Sequence, residues 1–127
     1  MSLNRRALIF LMIPAASCRR RDSGIPADLL PAQVQRTWVL RETKTRSNDD
    51  APALVRSLGL KHWMSATYRA NGEIQISVYE MNVEASAFEL MQKWRNSDGP
   101  AFYKGPYFIV AAPGNLEFLQ ALQDAMH

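Results

Sequence analysis

The chain has 127 residues, 47% of them hydrophobic and 21% charged, which is the composition of one globular domain. A multidomain enzyme, a collagen-like chain and a disordered chain are excluded. The single cysteine, Cys18, excludes an intramolecular disulfide framework and a cysteine zinc cluster. The formal charge of +3 also misleads, because Arg5, Arg6, Arg19, Arg20 and Arg21 all precede the body of the chain. From Asp22 onward ten basic residues face twelve acidic ones, a net −2, so no basic surface for nucleic acid is expected.

The first residues have the three parts of an export signal. Arg5 and Arg6 form a basic start, residues 7–13 an apolar run, and Ala15-Ala16-Ser17 a stretch of small side chains. A bilayer takes about 20 apolar residues, so this run is too short to remain as a membrane helix, and Pro14 ends it. The residue after the small stretch is the sole cysteine, and Ala15-Ala16-Ser17-Cys18 resembles the lipobox of bacterial lipoprotein precursors. The resemblance implies cleavage before Cys18, attachment of acyl chains such as palmitate to it, and an exported protein anchored to a membrane of the bacterial envelope. The alternative is an ordinary secretory signal with Cys18 incidental. The expected organisation is a signal peptide over 1–17, an anchor and linker over 18–35, and a domain over 36–127. The arginine run would lie against headgroups or serve as a solvated tether.

Ser23-Gly24, Pro26 and Pro31 mark the linker. Trp38-Val39-Leu40 followed by polar residues to Thr45 predicts a strand. Ser47-Asn48-Asp49-Asp50 predicts a turn, and residues 51–58 a short helix stopped by Gly59. Residues 62–69 and 73–81 predict a hairpin around Ala70-Asn71-Gly72. A three-residue loop, with Gly72 at positive φ, aligns Met64, Ala66 and Tyr68 with Val78, Ile76 and Ile74 on one apolar face. Trp63 then opposes Tyr79, Ser65 opposes Ser77, and Arg69 opposes Glu73. Asn82 is expected to cap a helix to about Arg95, whose Ala87, Leu90, Met91 and Trp94 would cover that apolar face. Residues 97–100 break the chain. Residues 107–112 are apolar on both faces and predict an interior strand ended by Pro113-Gly114. Asn115 then caps a helix with a buried stripe of Leu116, Phe118, Leu119, Leu122 and Met126.

The resulting order, βαββαβα, predicts an α+β fold: an antiparallel sheet of about four strands, ferredoxin-like, with an added C-terminal helix. That topology places its last strand at an edge, in tension with the two apolar faces of residues 107–112. Within residues 60–95, Tyr68, Asn71-Gly72, the Ile74-Ile76-Val78-Tyr79 strand and the Ala87-Phe88 helix resemble a domain of unknown function found in exported bacterial proteins. The resemblance implies export and transfers no catalytic residue.

Candidate chemistry is sparse. No phosphate loop, HExxH, EF-hand loop or nucleophile elbow is present, and the histidines are His62 and His127. The hairpin register sets His62 opposite Glu80, either as a plain cross-strand pair or as an acid/base pair of a small exported enzyme. His62 and Met64 share a strand face, and soft sulfur ligands suit cuprous copper. Met81 would join them only in a two-residue turn register, so core packing is preferred and no metal or other cofactor is expected. Trp63, Arg69, Gln75 and Tyr79, extended by Tyr103 and Tyr107, form a possible binding surface, unless Phe118, Leu119 and Leu122 of the last helix cover the rings. The function expected is that of a non-catalytic envelope lipoprotein, held to the membrane through Cys18, whose domain binds a protein or other envelope component.

Overall fold

A computed structural model describes residues 24–112 and 115–126. The export signal, Cys18, the arginine run and Pro113-Gly114 lie outside the described residues. Six strands, β1 (Gln33–Val34), β2 (Trp38–Arg46), β3 (Leu60–Arg69), β4 (Glu73–Met81), β5 (Ala101–Lys104) and β6 (Tyr107–Ala112), pair antiparallel in the order β1-β2-β3-β4-β6-β5 and form a half-barrel sheet. Among the described residues three α-helices, α1 (Ala53–Ser57), α2 (Glu84–Lys93) and α3 (Leu116–Ala125), accompany it.

This arrangement corrects the ferredoxin-like, four-stranded expectation. A ferredoxin-like fold needs its first helix to carry the chain across the sheet, and α1 has only five residues, about 7.5 Å of rise. The chain therefore folds straight back, and β3 pairs antiparallel with β2. The second connection does cross over: α2 carries the chain from β4 to β5, and β6 then inserts between them. Residues 107–112 are thus interior, as their two apolar faces require. The edge beside them is β5, whose sequence Ala-Phe-Tyr-Lys is too short and too closely flanked by Pro100 and Gly105-Pro106 to read as a strand. Gly105 takes φ +57° at the first position of the β5–β6 turn. Pro106, fixed near −65°, can occupy only the second position of a type II′ turn.

The β3–β4 hairpin has the expected register, with His62 opposite Glu80, Trp63 opposite Tyr79, Ala66 opposite Ile76 and Arg69 opposite Glu73. Gly72, however, is not among the described glycines with positive φ, which are Gly24, Gly59, Gly99 and Gly105. The loop closes instead through the Ala70 N–H, which donates to the Gly72 carbonyl at 3.0 Å.

The helices cover the faces opposite to those expected. Ala66, Tyr68, Ile74, Ile76, Val78, Ile109 and Ala111 form one core with Phe118, Leu119, Leu122 and Met126 around α3. Trp63, Tyr79, Met81, Phe108 and Val110 form the other with Val55 of α1 and Ala87 and Leu90 of α2. Short connections decide this: α2 starts three residues after β4 ends and stays on the Tyr79–Met81 side. Met91 and Leu116, expected inside, are exposed. The caps divide likewise. Asn115 Oδ1 accepts from the Phe118 N–H at 2.9 Å, whereas α2 begins at Val83 with no side-chain cap. Asn82 donates its backbone N–H to the Gly59 carbonyl instead.

Part of the stretch read as linker packs on the domain. Leu30 and Val34 are buried, and the Tyr68 hydroxyl donates to the Pro31 carbonyl at 2.6 Å.

Two stability measurements test this packing. Ile76 is fully buried on a central strand, so Ile76→Ala should cost ~2–5 kcal/mol by chemical denaturation. Gly99 has φ +101°, and an added Cβ would meet the Ala111 carbonyl oxygen at 2.9 Å. Gly99→Ala should therefore cost ~1–3 kcal/mol, while Gly72→Ala, with open space around it, should change stability by less than about 1 kcal/mol.

Candidate functional site

Alternation along β2, β3, β4 and β6 sends residues two apart to the same face, so the register defines rows that cross the sheet. On the α2 side the first row is Arg46, Trp63, Tyr79 and Phe108; the second includes Lys44, Ser65 and Ser77; the third includes Glu42, Thr67 and Gln75. The helices cover only part of this face. Trp63 stacks on Tyr79 with ring centroids 5.5 Å apart, and Trp94 meets Phe108 edge-on at 5.0 Å. Trp63 is 9% and Tyr79 4% exposed.

That burial changes the expected binding surface. Trp63 and Tyr79 are core and offer no ring face for stacking a ligand, but α1 and α2 cover them, not α3. Arg69 and Gln75 remain accessible at the other end of the face. Arg69 is engaged by Glu73, with Nε donating at 3.1 Å. Gln75 Oε1 accepts from the Thr67 hydroxyl at 3.1 Å. Tyr103 meets Phe88 of α2 edge-on, while Tyr107 faces the opposite side of the sheet.

Glu42, Lys44, Arg46, Ser65, Thr67 and Gln75 line a shallow depression of about 130 Å³ beside the buried rings. Arg46 holds its guanidinium carbon 5.1 Å from the Trp63 ring centroid, a cation–π contact over a desolvated ring. Lys44 and Glu42 pair at 3.6 Å, both largely exposed, a contact of little energetic weight. Sequence reasoning missed Glu42, Lys44, Arg46, Ser65 and Thr67 as a group. The available signal was the unbroken polar run over residues 41–46 of β2, but its meaning depended on knowing that β2 lies beside β3.

The other face carries the ionisable pair. His62 Nδ1 lies 2.9 Å from Glu80 Oε1, with the side chains 31% and 14% exposed. Tyr107 and Lys104 continue the same row. Burial, then the Glu80 charge, pushes the Tyr107 phenol up. Lys104 Nζ donates to the Met126 carbonyl at 3.3 Å, where a cation suits the end of α3. A cleft of about 50 Å³ is lined by Gly24, Ile25, Thr45, His62, Trp63 and Met64 and does not include Glu80. No hydroxyl hydrogen-bonds to His62 among the described residues, so the pair orients an imidazole without an activated nucleophile beside it.

Met81 pairs with Leu60 and is buried in the α2-side core, whereas His62 and Met64 belong to the α3 side. The three copper donors are therefore not brought together. No cluster of three His, Cys, Asp or Glu side chains able to hold a metal occurs among the described residues.

Burial raises the phenols of Tyr68 and Tyr79 above their ordinary 10.0, with the Ser77 hydrogen bond and the Arg46 charge partly offsetting it at Tyr79. Above pH 10 the unfolded chain releases these protons while the folded chain keeps them. Stability is full below that pH and should fall as pH rises past it. Denaturant titrations from neutral to alkaline pH should show this loss, reduced in Tyr68→Phe. Comparison of the chain with family models, curated proteins and solved structures found no match.

Proposed function

We propose that the chain is a non-catalytic lipoprotein of the bacterial envelope, anchored through Cys18, whose domain binds an envelope component through the uncovered polar half of the α2-side sheet face. The observation that carries the binding part is the unequal cover of that face. Its aromatic row is sealed by two helices, while the rows of Lys44, Ser65, Glu42, Thr67 and Gln75 stay open. The anchoring part rests on a lone cysteine directly after an apolar run and small residues. No helix among the described residues is long and apolar enough to cross a membrane. Multiple acyl chains, at ~0.8 kcal/mol per buried methylene, would give a stable attachment where a single chain holds only marginally.

The distance from Cys18 to Gly24 limits the reach of such a tether. Six residue steps span at most about 20 Å when fully extended, so the domain would stay close to the bilayer. Gly24 and Ile25 lie in the His62 cleft, which would set the His62 end of the sheet nearest the anchor.

The His62–Glu80 contact favours a second reading, a small exported enzyme using the two as an acid/base pair. A pocket lined by both side chains would support that reading, whereas the cleft at His62 is lined by Gly24, Ile25, Thr45, Trp63 and Met64, and we therefore propose the binding reading first.

Membrane fractionation tests the anchor. Wild-type protein should partition with membranes and its intact mass should show a modified Cys18. Cys18→Ala should appear in the soluble fraction. An unmodified mature Cys18 would remove the anchor from the proposal.

A further inference from the structure

Arg46 is the cation of the open half-face whose position is set by the core. Its guanidinium rests over Trp63, a ring fixed by stacking on Tyr79 and by burial beneath α1 and α2. Contact over a ring uses the π surface of the guanidinium and leaves its N–H donors for another partner. Among the described residues no carboxylate pairs with Arg46, while Lys44 is shared with Glu42. The register sets Lys44 opposite Ser65, and Glu42 opposite Thr67, which itself opposes Gln75.

We infer that the depression between Arg46 and Gln75 binds an anionic group, a carboxylate or a phosphate, carried by the ligand of this sheet face. The inference rests on the proposed binding role of the face and adds the chemistry of what it holds. The forked donors of Arg46 match either anion bidentately. Lys44 adds charge, and the Ser65 hydroxyl and the Gln75 amide add neutral donors. A cavity of about 130 Å³ accommodates one such group with a few waters. Glu42 gives the site polarity. Its carboxylate repels an anion at the Thr67 end and accepts from a hydroxyl or ammonium there, so the ligand's charge is directed to Arg46.

The test is an NMR titration of the full chain with glutarate, inorganic phosphate and neutral glutaramide at about 0.15 M ionic strength, following the Trp63 indole N–H and the Ser65 and Thr67 amides. At least one anion should give a saturable shift and glutaramide none. Binding should weaken about tenfold or more in Arg46→Gln and by less in Lys44→Gln, which leaves the Trp63 contact intact. The tighter anion distinguishes a carboxylate ligand from a phosphate one. Cys18→Ala should titrate like wild type, which separates this result from the anchor. No saturable shift with either anion, or an Arg46→Gln protein that stays folded by circular dichroism and titrates unchanged, overturns the inference. Shifts of the face residues by glutaramide alone would keep the face as a binding surface and remove its anionic ligand. Silence with all three probes removes both.

Discussion

The register of the β3–β4 hairpin governs both cores, since sliding one strand by a single residue would send every side chain to the other face. With Ala66 opposite Ile76 and Trp63 opposite Tyr79, one face is mainly aliphatic from the Met64–Val78 pair onward and ends in the His62–Glu80 pair, and the other is aromatic at one end and polar at the other. The aliphatic face is closed by α3 and by the segment carrying Leu30 and Val34. The second face is closed only where it is apolar, by α1 and α2. The open polar half is therefore a consequence of the same register that buries Ile76.

That register also links the N-terminal segment to the sheet. Tyr68 lies on the aliphatic face, packs against Phe118 of α3, and donates its hydroxyl to the Pro31 carbonyl. A buried phenol needs such a partner, and Pro31 lies just outside the paired residues of β1, where its carbonyl accepts that hydrogen bond. The segment following the proposed anchor is thereby held to the core and not merely strung from it. A short tether joined to a docked segment would restrict how the domain orients on a membrane.

The site was legible in part. His62 and Glu80 could be paired because two strands and their loop are contiguous in sequence, and contiguity plus apolar alternation suffices to choose a register. Trp63 and Tyr79 could be placed opposite each other for the same reason. Their burial was not legible, because it depends on α1 and α2 arriving on that side. The groups around Arg46 were not legible either, because β2 contributes three of them and its neighbour is set by topology. A pairing between β2 and β3 across residues 47–59 leaves no local pattern comparable to a tight turn.

The amino-acid sequence by itself determined the α+β content, the hairpin register, the interior character of residues 107–112 and the cap at Asn115. Each follows from interactions between near neighbours: alternation along a strand, helical spacing of apolar residues, or a side chain bonding a backbone N–H three residues away. Only the tertiary structure decided the six-stranded order, the edge role of β5, the face covered by each helix and the grouping of Lys44 and Arg46 with Ser65. These depend on how far a connection can reach. A five-residue α1 could not cross the sheet, whereas α2 could, and a one-residue pattern carries no record of that distance.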